Sequence, residues 1–178
     1  AFDFPEVDFT NPTSLLSILN ELKPDLIYNA VAYTAVDKAE TESELAEKIN
    51  ATTPSYIAEW CKKHDKFLIH FSTDYVFDGI TGKDYSERDD PNPLNIYGKT
   101  KLSGENAIKH SGCKSIIFRT SWVYSSRAGG FLRKFITWAQ TNDILRIVDD
   151  QIGNPTWART LAILSTHKLP TEKKALFK

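Results

Sequence analysis

Apolar positions along this chain fall into two alternating kinds of stretch. Over residues 11–22 they recur with helical spacing at Leu15, Leu16, Ile18, Leu19 and Leu22, which predicts an amphipathic helix. Residues 25–32, behind Lys23-Pro24, form a near-continuous apolar run, the pattern of a strand covered on both faces. The helical period returns over residues 42–64 through Leu45, Ile49, Ile57 and Trp60, and Pro54 is expected to kink or reset that helix. Residues 67–71 read as a second buried strand, 92–110 as a helix closed by Ser111-Gly112, and 115–120 as a third strand. A helix over 131–140, a strand over 144–148, a turn at Gly153-Asn154-Pro155 and a helix over 158–167 complete the pattern.

Strands that alternate with helices in this way predict an α/β fold with a doubly wound, Rossmann-like parallel sheet. Residues 1–169 are expected to form a partial dinucleotide-binding domain with the start of substrate-binding elements. Residues 170–178 read as a linker or frayed end. Such a domain usually opens with a strand, a glycine-rich turn and a helix that receives pyrophosphate. No G-x-G-x-x-G or spaced variant occurs in these 178 residues. The expectation is therefore that the first strand-turn-helix is lacking, through truncation or true absence.

Composition narrows the function classes. Hydrophobic residues make up 41% and charged residues 25%, the balance of an ordinary globular domain, and the formal net charge is -1. Acids and bases are interspersed, so no basic stripe for nucleic acid and no polybasic membrane patch emerges. Two cysteines, Cys61 and Cys113, do not make a disulfide framework in a chain this long and read as free thiols of a reducing cytoplasm.

The candidate chemistry begins where the strand 67–71 runs out. Ser72, Thr73, Asp74 and Tyr75 place hydroxyls and a carboxylate at the carboxyl end of a strand, where open α/β sheets bind ligands. Tyr97 and Lys101 lie four apart on a predicted helix and share one face. An ammonium near a phenol lowers its pKa from about 10, and bringing it ~3 units toward neutrality takes roughly 4 kcal/mol of differential interaction. Such a tyrosine can give a proton to a ketone oxygen as hydride reaches the carbon. A hydroxyl at Thr73 can donate to the same oxygen.

Four motifs in order carry a resemblance: Asn29-Ala30-Val31-Ala32-Tyr33-Thr34-Ala35-Val36-Asp37-Lys38-Ala39-Glu40, then STDYVFDG from Ser72, then Pro93-Leu94-Asn95-Ile96-Tyr97-Gly98-Lys99-Thr100-Lys101, then Arg119-Thr120-Ser121-Trp122-Val123-Tyr124. Together they resemble the dTDP-4-dehydrorhamnose reductase family, within the extended short-chain dehydrogenases/reductases. The resemblance implies a catalytic set of Thr73, Tyr97 and Lys101, with Lys101 tuning Tyr97 and holding a nicotinamide ribose. It implies cofactor contacts (NADPH or NADH) from Asp8, Phe9, Ala32, Tyr33, Thr34 and Phe71. It implies contacts to a nucleotide-sugar from Thr73, Asp74 and Trp122. Gln151 to Thr156 also resembles the family's late loop near the nucleotide-sugar.

Some members of that family use magnesium at a dimer contact. Magnesium and a homodimer are therefore possible here, but no metal ligand can be placed. Gly130-Phe131 stands where the family often carries Asn-Phe, and measured against the family most of a C-terminal substrate lobe is expected to be lacking. Two other functions compete. One is a different nucleotide-sugar enzyme of the same fold, although a dehydratase places Glu after the Asp and this chain has Tyr75. The other is a non-catalytic regulatory homologue resembling the methionine adenosyltransferase beta subunit, against which Arg119-Thr120-Ser121-Trp122 speaks.

Overall fold

A computed structural model describes residues 7–126 and 130–167. The chain forms two compact units, Ala1–Arg119 and Thr120–Lys178. The segment 170–178, expected as a linker, lies outside the described residues.

The first unit is built on a three-stranded sheet of β1 (Leu26–Asn29), β2 (Phe67–Thr73) and β3 (Lys114–Thr120), with β2 in the centre. β1 and β2 are parallel, in a register that pairs Leu26 with Phe67 and Asn29 with His70. β2 is buried along nearly its whole length, as its apolar run predicts for a strand covered on both faces. Helix α1 (Pro12–Leu22) precedes β1. The side chain of Asn11 caps it by accepting from the backbone N–H groups of Thr13 and Ser14, a bond worth about 1 kcal/mol. Leu15 and Leu19 of α1 join Ile57, Trp60 and Cys61 with Leu68 of β2 and Ile108 in one apolar core. Each fully buried Leu or Ile stabilises the fold by roughly 1.5–3 kcal/mol. Burial pushes the Cys61 thiol up to about 12, with Cys113 adding to the rise, so it packs as a small hydrophobe.

The strand expected over 25–32 is shorter. The Asn29 side chain accepts a hydrogen bond from the backbone N–H of Val31 and turns the chain out of the sheet. The segment that follows holds the short helix α2 (Val36–Ala39), which the apolar pattern does not signal. The single helix expected over 42–64 is three pieces: α3 (Ser43–Glu47), a π-helical turn (Lys48–Thr52) and α4 (Thr53–Lys63). Pro54 at the start of α4 has no N–H to return to the carbonyl of Asn50, so the α-helical ladder is reset there.

Helix α5 (Ile96–Ser111) starts later than its expected first residue, 92. Pro93 disfavours helical backbone at Asn92. Asn95 supplies the cap, its side chain accepting from the Gly98 N–H at 2.7 Å. Gly112 closes α5 in left-handed backbone, φ 64°.

The second unit holds β4 (Val123–Tyr124), α6 (Phe131–Thr141), β5 (Thr156–Trp157) and α7 (Ala158–His167). β4 and β5 pair in parallel; at two residues each they leave no periodic signal in the sequence. The strand expected over 144–148 does not form. Ile144 is 80% and Val148 66% exposed, and an apolar run becomes a strand only where another strand completes its ladder. Among the described residues no helix is long and apolar enough to cross a membrane.

Glycine at position 104 is required by proximity. A Cβ there would stand 2.1 Å from the backbone oxygen of Asn50. Gly104→Ala should therefore destabilise the protein by about 1–3 kcal/mol through overpacking, although helix propensity alone favours alanine by ~1 kcal/mol. Urea denaturation measures the sign; a stabilised variant would refute the close approach.

Candidate active site

The site is assembled at the carboxyl end of β2. Thr73 is its last residue, and the chain turns at once into a single 3₁₀ turn, Asp74–Val76. The Thr73 hydroxyl caps that turn by accepting from the Tyr75 N–H at 3.2 Å, and it donates to Asp74 Oδ1 at 3.2 Å. Helix α5 lies against the turn at Gly98, where a Cβ would stand 2.2 Å from the Tyr75 backbone oxygen. Any larger residue would hold the helix away. The neighbouring residue, Tyr97, thereby meets Tyr75 edge to face, with ring centroids 5.6 Å apart, and its phenol lies near enough to the Thr73 hydroxyl to be influenced by it.

One helical turn further, Lys101 is only 1% exposed. Its ammonium donates to the Phe71 carbonyl at 2.7 Å and lies 3.4 Å from His70 Nε2. On the other side of the ring, the Asn29 amide lies 3.1 Å from His70 Nδ1. Burial lowers the Lys101 pKa to about 8, with Glu105 opposing. Burial, then the Lys101 charge, push His70 down to about 3, so its ring is neutral.

Glu105 shares the α5 face with Lys101. Burial pushes its carboxyl upward, but the Arg119 hydrogen bonds and charge outweigh this and leave its pKa below the ordinary value. Arg119 Nε lies 3.0 Å and Nη2 2.7 Å from the carboxylate oxygens. The Lys109 ammonium is 3.2 Å away.

The Tyr97 phenol lies above its ordinary pKa. Burial is the main cause, the Thr73 hydroxyl opposes it, and the Asp74 and Tyr75 charges add to it. The lowering expected from Lys101 is thus not what the structure gives: the ammonium is turned to Phe71 and His70. The Asp74 carboxyl is also raised, chiefly by burial.

The other residues predicted for the site lie as follows. Phe71 stacks on Phe118 at 5.9 Å. Asp8 is exposed and takes two hydrogen bonds from Thr10, which lower its pKa. Phe9 packs against the core, and its carbonyl accepts from the Thr53 hydroxyl. Ala32, Tyr33 and Thr34 lie in the loop after β1, with Thr34 exposed. Asn50 clasps that loop: its side chain accepts from the Tyr33 N–H at 2.8 Å and donates to the Tyr33 carbonyl and the Thr100 hydroxyl. The Tyr33 hydroxyl donates to Glu42. Trp122 belongs to the second unit, where it meets Phe131 edge to face at 4.9 Å.

Sequence reasoning did not single out Asn29, Asn50, His70 or Glu105. Only Glu105 carried a local signal, four residues after Lys101 on the same helix. Among the described residues no group of three or more His, Cys, Asp or Glu side chains is gathered as a metal site would require.

A parallel, Rossmann-like sheet whose central strand ends in a hydroxyl beside a helix-borne tyrosine, with a lysine one turn on, defines the short-chain dehydrogenase/reductase class of fold. Within it, residues 1–176 match the RmlD substrate binding domain, and the chain belongs to that family. It is 43% identical over 162 residues to the dTDP-4-dehydrorhamnose reductase of Salmonella typhimurium, covering 91% of this chain and 54% of that protein. It thus spans about half the length of the curated relatives it matches. The crystal structure of a dTDP-4-dehydrorhamnose reductase from Clostridium acetobutylicum superposes with a TM-score of 0.88 at 40% identity, covering 92% of this chain and 58% of that one. The Bacillus anthracis reductase, in complex with NADP, gives 0.88 at 36% identity, covering 93% and 59%.

Lys101 generates a pH prediction. Its folded pKa, about 8, lies below its ordinary 10.5. Between those values the unfolded chain binds a proton that the native state does not, so this group makes stability rise with pH across that window. Below it, the burial cost of the ammonium is fully present, on the order of 2–4 kcal/mol. Urea denaturation from pH 7 to 10.5 should show that rise in the parent protein relative to Lys101→Met. A constant difference between the two proteins across the window would refute it.

Proposed function

We propose that the protein carrying this chain reduces dTDP-4-dehydro-L-rhamnose (dTDP-4-keto-6-deoxy-L-mannose) to dTDP-L-rhamnose with NADPH or NADH, in the cytoplasm. The observation that carries the reading is the grouping of the Tyr97 phenol with the Thr73 hydroxyl at the carboxyl end of β2, with a buried lysine one helical turn from Tyr97. The similarity to the Salmonella typhimurium and Clostridium acetobutylicum reductases supports the choice of substrate.

The Tyr97 phenol holds its proton and can donate it, although burial, by raising its pKa, makes it a weaker acid than a free phenol. Thr73 and Tyr97 converge on one point, where a ketone oxygen would accept from both hydroxyls. The ketone becomes an alcohol when its carbon gains hydride, which is the chemistry a bound reduced nicotinamide supplies, and its oxygen gains the Tyr97 proton. Developing charge on that oxygen would be stabilised by Thr73, whose hydroxyl oxygen is held by the Tyr75 N–H and whose single proton, now given to Asp74, would turn to the ketone.

The residues present suit the ribose, nicotinamide and adenosine parts of a dinucleotide, while a glycine-rich turn for its pyrophosphate is not among these 178 residues. An ammonium has three donors. Two of those on Lys101 are directed at Phe71 and His70, which leaves one for a ribose hydroxyl. Ala32, Tyr33 and Thr34, held by Asn50, would line the nucleotide, with Phe71 behind the nicotinamide and Asp8 and Phe9 toward adenine. Asp74 would hydrogen-bond the sugar and Trp122 would offer it an apolar face.

Two substitutions in the intact protein test this. Tyr97→Phe keeps the ring and removes the proton, so turnover should fall by ~10²–10⁴ with little change in stability. Near-parent turnover would remove Tyr97 from the mechanism. Asp74→Asn should raise the KM for the sugar nucleotide more than it lowers kcat. Activity lost in that variant and restored by added divalent metal would instead make Asp74 a metal ligand.

A further inference from the structure

Trp122 has φ 49°, left-handed backbone that a bulky non-glycine residue rarely adopts. What holds it there is the segment 151–156. The Thr156 N–H donates to the Trp122 carbonyl at 3.3 Å, and the next residues pair in parallel, Val123 with Thr156 and Tyr124 with Trp157. Just before it, the Ser121 hydroxyl donates to the Asn154 carbonyl at 2.8 Å. The backbone on both sides of Trp122 is therefore latched to one loop.

The same loop meets the indole itself. A Cβ on Gly153 would stand 2.6 Å from Trp122 Nε1 and 2.8 Å from Cδ1, closer than side chains tolerate. Gly153 is not in the left-handed region, so its backbone makes no demand for glycine. Room for the indole is the demand. The ring cannot simply swing aside, because Phe131 packs edge-on against it at 4.9 Å. Trp122 remains 38% exposed and borders a cavity of about 330 Å³ lined mainly by apolar atoms, among them those of Phe131, Leu132 and Pro155.

We propose that Gly153 is a positioning residue for ligand recognition: its missing side chain seats the Trp122 indole edge, so that the 151–156 loop sets where the indole face is presented to a sugar. The inference rests on the reading of Trp122 as a sugar-contacting side chain. It adds the group that decides the position of that contact, one that never needs to touch the sugar. Gly153→Ala displaces the indole without altering Thr73, Tyr97 or Lys101. Its effect therefore falls on sugar affinity and not on proton transfer.

Two measurements on the intact protein test it. In protein labelled with fluorotryptophan, the Trp122 fluorine resonance, identified by its loss in Trp122→Ala, should shift in Gly153→Ala while that of Trp60, in the core of the first unit, stays in place. In steady-state reduction of dTDP-4-dehydro-L-rhamnose, Gly153→Ala should raise KM on the order of tenfold with kcat nearly unchanged. The same substitution should add almost nothing in a Trp122→Ala background, because the two act as a unit. An unmoved resonance, or a full additional KM effect in that background, overturns the proposal. If the resonance shifts but Trp122→Ala keeps the parent KM, the sugar-contact reading fails and the recognition role of Gly153 fails with it. A Gly153→Ala protein that does not fold supports the proposal if Trp122→Ala restores folding and overturns it if folding stays lost.

Discussion

The first unit depends on how closely α5 approaches the end of β2 and the π-helical turn. Two glycines of α5 make that approach possible, Gly98 against the Tyr75 carbonyl and, on another side of the helix, Gly104 against the Asn50 carbonyl. Everything that faces the carboxyl end of the sheet follows from this distance. It brings the Tyr97 phenol to Thr73 and lets Lys101 reach the Phe71 carbonyl. The helix face of Lys101 also carries Glu105 to Arg119 on the next strand.

The buried charges between α5 and the sheet are arranged so that no ionised group stands alone. Lys101 gives its protons to a carbonyl and a neutral imidazole, and Glu105 accepts from Nε and Nη2 of Arg119 and from the Lys109 ammonium. An unpaired ammonium or carboxylate at this depth would cost several kcal/mol. Such a network is rigid, and rigidity is what a proton donor and a hydroxyl must share to converge on one oxygen. The π-helical turn contributes at the other end, where Asn50 ties the backbone of Tyr33 to Thr100 of α5. The loop that follows β1 and the helix that carries Tyr97 are therefore held by one side chain.

The second unit solves a different problem with similar means. Short strand pairing and two loop hydrogen bonds hold a tryptophan in left-handed backbone, and a glycine makes room for its ring. In both units, glycine serves where another group must come close.

What the sequence by itself determined was the order of elements and the chemical types at the site. Apolar runs and helical spacing are local properties, so the strands around Ile27, Ile69 and Ile117 and the helices from Pro12, Phe131 and Ala158 were legible. So were the hydroxyl and carboxylate at the end of a strand and the Tyr97–Lys101 spacing, because both are short-range patterns. The tertiary structure decided what depends on partners. Residues 144–148 have the composition of a strand but no ladder to join, and the helix over 42–64 is reset where Pro54 withholds an N–H. Most of all, the direction of the Lys101 ammonium was not legible. A four-residue spacing places it on the same face as Tyr97. The Phe71 carbonyl and the His70 ring, brought there by a strand thirty positions away in the chain, determine where its charge goes.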